Sequence, residues 1–366
     1  MQRMEKTVKA GGFATARVAT ARVATIKDVA SLARVSIKTV SRVVNKEANV
    51  QDQTRQRVLE AVAELNYQPN TAARGLSGKR SYCLGLLYEN ARESGYFKDV
   101  LNGALRTSAA EGYGLLLRPF TLPSESLAAD VRQFVLQTRV DGILLTAPLS
   151  DYTDVTAVLD ELHIPYVQMT PRNSRPGVPN ILCNDAEASC AVTEYVMSLG
   201  HQRIGFIKGH PEHRAAVERL AGYRLALQKA QLKYEPSLVR PGYFDFESGK
   251  KAARALLRLT SPPTAIIASN DDMAAGVVYE AHELGLAIPG QLSVVGFDDT
   301  PTASHIWPPL TTVRQPIDAM AAQAIWLLTK TIRGQQLPEV SQPFECQLVL
   351  RASTAARGTY QAVEEN

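Results

Sequence analysis

Hydrophobic positions change their spacing along the chain, and the change separates a short first part from a long second part. Between residues 25 and 65 apolar residues recur at helical spacing, first at Ile26, Val29 and Ala33. From residue 82 to about residue 350 helical stretches alternate with apolar runs: CLGLLY (83–88), GLLLR (114–118), GILLT (142–146), PYVQM (165–169), RIGFI (203–207), TAIIAS (264–269) and LSVVGF (292–297). This alternation predicts an α/β fold of parallel sheets with helices on both faces. Seven such strands favour two similar lobes over one sheet.

Capping residues predict where the first helices begin. Thr25 precedes the first helix and Asp28 follows three residues later, which is a variant of the capping box. Ser36 can cap a second helix, and a third is expected from about Asp52 to Leu65. Because few residues separate the first two helices, they are predicted to form a helix-turn-helix.

The charge of the chain is unevenly distributed. The net charge is +4 over 366 residues, but residues 1–80 hold 15 Lys and Arg against 6 Asp and Glu. The remaining 286 residues hold 25 basic and 30 acidic side chains. A basic end on an acidic body indicates that this end meets a polyanion, although a solubilising tail has the same charge.

Several classes of protein lack support in the sequence. There is no run of eighteen apolar residues and no apolar core of a signal peptide, so we expect a cytoplasmic protein without a membrane span. The four cysteines are dispersed, which fits a reducing compartment. No nucleotide-binding or serine-hydrolase motif is present, so no cofactor is expected. His210 and His213 form only a weak metal-binding pattern.

The second helix carries side chains suited to DNA. In a helix-turn-helix this helix enters the major groove with its N-terminal residues, which here are Ser36, Ile37, Lys38, Thr39, Ser41, Arg42 and Asn45. Arginine can donate two parallel hydrogen bonds to guanine, and short hydroxyls suit phosphates. A solvated helix face is the alternative, but acidic partners are missing between Leu32 and Lys46.

The segments TIKDVASLARVSIKTVSRVVN and ELNYQPNTAARGL resemble the DNA-binding headpiece of the LacI/GalR family of bacterial transcription regulators, and the resemblance continues to about residue 354. It implies that Ile37, Lys38 and Arg42 read base edges and that Ser36, Thr39, Ser41 and Asn45 hold phosphates. It also implies a hinge helix from Asn70 to Leu76, in which Ala73 permits close approach and Leu76 wedges into the minor groove. Paired hinges imply a homodimer on a near-palindromic operator, with the helix Phe97–Ala110 at the interface.

Two positions depart from the family pattern. Arg34 stands in the inter-helix turn where glycine is frequent, and Gln51 replaces the usual Ser or Thr cap. Each departure is expected to cost on the order of 1 kcal/mol.

The resemblance also implies a domain division. The parts are a disordered basic arm (1–24, with the repeat TARVA-TARVA), a helix-turn-helix domain (25–69), a hinge helix and linker (70–80), a core (81–356) and a tail (357–366). The core is expected to resemble the periplasmic sugar-binding proteins, with lobe 1 at about 81–182 and 317–344 and lobe 2 at about 183–314 and 345–356. Two such lobes close over a small ligand.

Matching positions give a set of candidate effector contacts: Asn90, Tyr96, Thr170, Arg172, Arg219, Phe244, Asn270 and Asp298. The alternatives that stay open are helix capping for Asn270 and Asp298, core packing for Tyr96 and a surface salt bridge for Arg219. Tyr243 and Phe246 compete with Phe244 for its assignment. Many members have an acidic residue where this chain has Thr170, Pro171 and Arg172. Arg172 together with Arg219 therefore fits an acidic or phosphorylated sugar.

The sequence thus predicts a DNA-binding transcription regulator, a repressor, controlled by a carbohydrate effector. The alternative is a small-molecule-binding α/β protein or sugar-acting enzyme with an incidental basic N-terminus. Steeply salt-dependent binding to a palindromic duplex separates the two.

Overall fold

The computed structural model describes residues 24–44, 50–67, 80–89, 95–337 and 342–358. The chain divides into two compact units, residues 1–74 and residues 75–366. The first unit contains α1 (Ile26–Ala33), α2 (Ile37–Val44) and α3 (Asp52–Glu64). Its core is small, and Val29, Val40 and Val58 are fully buried in it. The expected basic arm and hinge, together with Asn45, Asn70, Ala73, Leu76 and Asn90, lie outside the described residues, apart from positions 24 and 80.

Side-chain caps fix the first two helices where the sequence predicts. The backbone N–H and hydroxyl of Thr25 donate to the Asp28 carboxylate at 2.8 and 2.7 Å. The backbone N–H of Thr39 donates to the Ser36 hydroxyl at 3.1 Å. Arg34 ends α1 with φ of +54°, a left-handed conformation that favours glycine, so the departure from the family pattern is a strained residue.

The second unit alternates strands and helices along its whole length. In chain order they are β1 (Cys83–Glu89), α4 (Gly95–Ala110), β2 (Gly114–Phe120), α5 (Leu127–Thr138), β3 (Gly142–Thr146), α6 (Thr153–Glu161), β4 (Tyr166–Met169), β5 (Asn180–Ile181), α7 (Asp185–Ser198), β6 (Ile204–Ile207), α8 (Arg214–Lys229), β7 (Val239–Arg240), α9 (Phe246–Leu257), β8 (Ala265–Ala268), α10 (Asp271–Glu283), β9 (Ser293–Val295), α11 (Pro301–His305), β10 (Thr312–Arg314), α12 (Ile317–Ile332) and β11 (Gln347–Val349).

The first five strands form one parallel sheet in the order β2-β1-β3-β4-β5. Helices α4 and α12 cover one face, and α5 and α6 cover the other. Burial on both faces explains why β3 is apolar at nearly every position. This sheet and its four helices are called lobe 1 below.

A second parallel sheet has the order β7-β6-β8-β9, with α9 and α10 on one face and α7 and α8 on the other. These elements are called lobe 2. Strands β10 and β11 pair with each other in antiparallel orientation. Gly222 lets α8 approach α7 closely, since a Cβ there would collide with the Ala186 carbonyl oxygen.

The predicted α/β class is confirmed, and all seven predicted apolar runs contain strands. Strands β5, β7, β10 and β11 were not predicted because they have two or three residues each and carry no readable alternation. Among the described helices, no helix combines the length and apolarity needed to span a bilayer.

Candidate functional site

Helix α2 separates its buried and outward side chains as a DNA-reading helix requires. Val40 and Val43 are buried against α1 and α3. Ser36, Ile37 and Lys38 are exposed, and 46% of the Ile37 side chain faces solvent. Thr39, Ser41 and Arg42 are half-buried on the next turn. An exposed isoleucine beside a lysine provides both an apolar contact for a thymine methyl and a phosphate or base donor.

Most of the candidate effector residues in the second unit follow the carboxyl ends of strands. Tyr96 follows β1, Thr170 and Arg172 follow β4, Phe244 follows β7, and Asn270 and Asp298 follow β8 and β9. Arg219 lies on α8, the helix after β6. In open α/β sheets ligands bind at this end of the strands. Tyr152 contacts Glu212 and Arg172 contacts Pro211, so these ends of the two sheets lie beside each other. The region between them is called the cleft below.

Arg219 is the centre of the buried polar network in lobe 2. Its Nε donates to Asp185 Oδ1 at 2.7 Å, and its Nη1 donates to the Ser269 carbonyl oxygen and lies 3.4 Å from Asp298 Oδ1. The guanidinium also lies 3.6 Å from the centre of the Phe297 ring. Burial lowers the pKa of Arg219, but Asp185 and Asp298 together raise it by more, so the side chain stays charged.

Asp298 shares that arginine with a second carboxylate. Burial raises the pKa of the Asp298 carboxyl to about 8, with Arg219 opposing the rise and Asp271 adding to it. Its Oδ1 accepts a hydrogen bond from Gln315 Nε2 at 2.6 Å. Two buried carboxylates beside one guanidinium leave an excess negative charge, which protonation of one of them removes.

Phe244 and Asn270 hold each other in place. The Asn270 side chain accepts from Met273 N at 3.0 Å and donates to the Phe244 carbonyl oxygen at 2.9 Å. Phe244 has φ of +63°, and its ring lies 6.0 Å from the Arg219 guanidinium. Gly209 is required beneath this ring, since a Cβ there would overlap with it. The capping role of Asn270 is therefore present, and a contact with effector stays a prediction.

Tyr96 and Thr170 extend the site into lobe 1. Burial raises the pKa of the Tyr96 hydroxyl, with Cys183 and Asp298 adding to the rise and a hydrogen bond with Thr170 opposing it. Thr170 itself has φ of +51° and donates its backbone N–H to the Ile181 carbonyl oxygen. The groups that shift the pKa of Tyr96 thus belong to both lobes, Thr170 to lobe 1 and Asp298 to lobe 2.

Arg172 lies at the edge of the cleft. Asp151 fixes its turn by accepting its backbone N–H at 2.7 Å, and its guanidinium donates to the Pro211 carbonyl oxygen at 3.3 Å. The contacts of the two arginines therefore differ. Arg172 contacts a backbone carbonyl oxygen of lobe 2 at the edge of the cleft, whereas Arg219 is paired with buried carboxylates.

The structure adds residues that sequence reasoning missed, namely Asp185, Phe297 and Gln315. Asp185 begins α7 after the two-residue strand β5, which is too short to be recognised. Gln315 lies in the segment between β10 and α12 and also accepts from the Cys183 thiol at 3.1 Å. Neither residue has a local pattern that marks Asp185 as a partner of Arg219 or Gln315 as a partner of Asp298. In the part of the chain that the structure describes, no group of three or more His, Cys, Asp and Glu side chains is arranged to hold a metal ion.

Comparison with known proteins identifies the family of each part of the chain. Residues 25–70 match the model of bacterial regulatory proteins of the lacI family, and residues 193–354 match a periplasmic binding protein-like domain. The probable HTH-type transcriptional repressor ExuR of Bacillus subtilis (strain 168) is 33% identical over 302 residues, which cover 81% of this chain and 88% of that protein. The HTH-type transcriptional repressor PurR of Vibrio atlanticus (strain LGP32) is 34% identical over 314 residues, 85% and 93% of the two chains.

Two solved structures of transcription regulators are similar to this chain over most of its length. A lac repressor dimer bound to operator and the anti-inducer ONPF superposes with a TM-score of 0.73 at 30% identity, covering 92% of this chain and 100% of that chain. A complex of the transcriptional regulator CelR with cellobiose gives a TM-score of 0.69 at 30% identity, covering 90% and 99%.

The chain combines a helix-turn-helix unit with a periplasmic binding protein-like core, and its relatives are transcriptional repressors, so it is a DNA-binding transcription regulator. The chain belongs to the LacI family of bacterial regulatory proteins.

Proposed function

We propose that the protein is a cytoplasmic homodimeric repressor that binds a near-palindromic operator through α2 and is controlled by a carbohydrate effector in the cleft. The lac repressor dimer on its operator and CelR with cellobiose support this assignment by similarity. Effector binding changes the angle between the lobes and so the separation of the two hinge segments of a dimer. The coupling arises because the effector binds the two lobe arrangements with different affinity.

The proposal that the protein binds DNA through α2 rests on the exposed face of this helix. Ile37, Lys38 and Arg42 are the proposed base-reading residues, and Ser36, Thr39 and Ser41 are the proposed phosphate contacts. Selection from a pool of random duplexes tests this directly, and we expect a palindromic consensus. Binding to that consensus should weaken steeply with salt, because phosphate contacts release counterions. Recovery of no consensus contradicts the proposal.

The proposal about the chemical class of the effector rests on the ion pair between Arg219 and Asp185. The charge of Arg219 is already matched by Asp185 at 2.7 Å, so this arginine is not an unbalanced cation for a carboxylate or phosphate. Carboxylates and a guanidinium in forked geometry suit pairs of sugar hydroxyls. Phe244 and Tyr96 supply aromatic surface beside them. This arrangement favours a neutral saccharide over the acidic or phosphorylated sugar that Arg172 and Arg219 indicate in the sequence.

A thermal-shift screen separates these effector classes. The panel contains cellobiose, galactose, glucuronate, galacturonate and glucose 6-phosphate. A ligand at a hundred times its dissociation constant stabilises the protein by roughly 2.7 kcal/mol, which is readily seen. We expect a neutral saccharide to bind and Arg172→Ala to leave its binding unchanged. A shift with the acids alone, lost in Arg172→Ala, supports the charged effector instead.

A further inference from the structure

One loop of lobe 2 contacts lobe 1 at three separate points. This loop, His210-Pro211-Glu212-His213, connects β6 to α8 and is called the 210–213 loop. The carbonyl oxygen of Pro211 accepts from Arg172 at 3.3 Å, Glu212 accepts from the Tyr152 hydroxyl at 3.3 Å, and His213 Nε2 lies 3.8 Å from Glu89 Oε2. Three consecutive residues of the loop thus have partners in the opposite lobe.

The three lobe 1 partners lie on one edge of their sheet. Glu89 ends β1, Tyr152 lies between β3 and α6, and Arg172 follows β4. All three therefore stand at the carboxyl ends of neighbouring parallel strands, which is the edge that faces the cleft. The 210–213 loop follows the carboxyl end of β6 in the other sheet. It consequently spans the cleft from the lobe 2 side.

The loop also contacts the aromatic residues of the cleft. The ring of His213 lies 5.3 Å from the ring of Phe244 and 5.3 Å from that of His210, which in turn lies 5.5 Å from Tyr243. A movement of the loop away from lobe 1 therefore also changes the surroundings of Phe244.

From these contacts we infer that the 210–213 loop is a latch that holds the two lobes closed across the effector cleft. Each contact is exposed or half-buried and polar, so each alone stabilises closure only slightly. Because all three belong to one short loop, a single opening of the lobes breaks them together and their effects multiply. The inference rests on the proposed cleft between the lobes, but its test needs neither effector nor DNA.

The test measures the distance between the lobes in the ligand-free, full-length protein. Fluorophores are attached through unnatural amino acids at Leu136 on α5 and Leu225 on α8, both exposed, in one labelled protomer per dimer. Single-molecule energy transfer then gives the ratio of open to closed molecules. Tyr152→Phe removes only a hydroxyl and Glu89→Gln only a charge, so both variants keep the local packing.

We expect each single variant to raise the open-to-closed ratio about threefold and the double variant about tenfold, because one movement breaks both of these modest polar interactions. The control is Glu218→Gln, which removes an ion pair with Arg214 within α8 and should leave the ratio unchanged. Circular dichroism confirms folding of each variant. If the double variant has the same open-to-closed ratio as the wild type, the loop is not a latch. If no sugar in the thermal-shift screen binds, that result contradicts the proposed carbohydrate effector and leaves the latch unaffected.

Discussion

The guanidinium of Arg219 lies 3.6 Å from the centre of the Phe297 ring, while its Nε is bonded to Asp185. A cation is thus held between an aromatic face and a carboxylate at the floor of the cleft in lobe 2. The same arginine lies 3.4 Å from Asp298, so it connects two of the proposed effector contacts.

Removing the arginine should destabilise the core strongly. Arg219→Ala leaves the Asp185 carboxylate buried without its countercharge, which costs about 3–5 kcal/mol. Urea unfolding measures this loss. Arg132→Ala is the matched control because Arg132 pairs with Glu161 at the surface, and it should change stability little. Equal effects of the two substitutions would refute the role given to Arg219.

The raised pKa of Asp298 predicts a pH dependence of stability. Its folded pKa of about 8 lies above the ordinary value of 3.8, so the folded state holds a proton that the unfolded chain releases. The resulting stabilisation is complete below about pH 4 and is lost as the pH rises through about 8. Asp271, with a pKa raised to about 7 by burial, acts in the same direction.

Thermal unfolding between pH 5 and 8.5 checks this dependence. The melting temperature should fall as the pH rises, and Asp298→Asn should make the decline shallower, because an amide cannot ionise. A residual slope from Asp271 is expected. If Asp298→Asn and wild type show the same slope, Asp298 does not hold the excess proton.

The outward face of α2 predicts that Arg42 affects which DNA sequence is bound, whereas a basic residue elsewhere affects only the overall affinity for DNA. Arg42→Ala should cost about 1–3 kcal/mol on the selected consensus and relax the choice of base at one position of each half-site. Arg57→Ala removes the same charge from an exposed position on α3 and should weaken all sequences alike, if at all. Fluorescence anisotropy on consensus and single-base variants measures both. Uniform weakening by Arg42→Ala would assign that residue to phosphate.

The strained turn after α1 predicts a stabilising substitution. Arg34 has φ of +54° and ψ of +49°, where an L side chain costs roughly 1 kcal/mol. Arg34→Gly should raise the melting temperature of the helix-turn-helix unit, followed by circular dichroism of the full chain. Arg34→Ala is the control, because alanine keeps the Cβ atom, and it should not raise the melting temperature.

Exposed apolar side chains predict where two copies of the chain meet. Trp307 is 79% exposed, and Leu105 on the predicted interface helix is 46% exposed. Because single exposed leucines are ordinary, Leu105 is distinguished by its helix, which the family resemblance places at the interface, and Trp307 by the exposure of most of its indole ring. Trp307→Asp and Leu105→Asp should each shift the mass in light scattering from dimer toward monomer. Leu136→Asp, at a comparably exposed leucine on α5, serves as control and should leave the dimer intact.

Local pattern alone determined much of this protein. The caps at Thr25 and Ser36, the three short helices and the seven apolar runs are all encoded within a few residues, because helix starts and buried strands depend on neighbouring side chains. The outward position of Ile37 and Lys38 follows from the helical period in the same way. Resemblance to a family then supplied the candidate cleft residues.

Tertiary structure decided how those residues are used. Asp185, Phe297 and Gln315 meet Arg219 and Asp298 only when separate strands of lobe 2 and the segment before α12 come together, so no local pattern could pair them. The packing of lobe 2 also pairs Arg219 with buried carboxylates, whereas the sequence left open an effector contact or a surface salt bridge for this residue. Contacts between the 210–213 loop and lobe 1 likewise depend on two sheets facing each other. The spacing of apolar side chains along a helix or strand determines which of its faces is buried. Which residue a side chain contacts in the other lobe depends instead on how the two sheets pack.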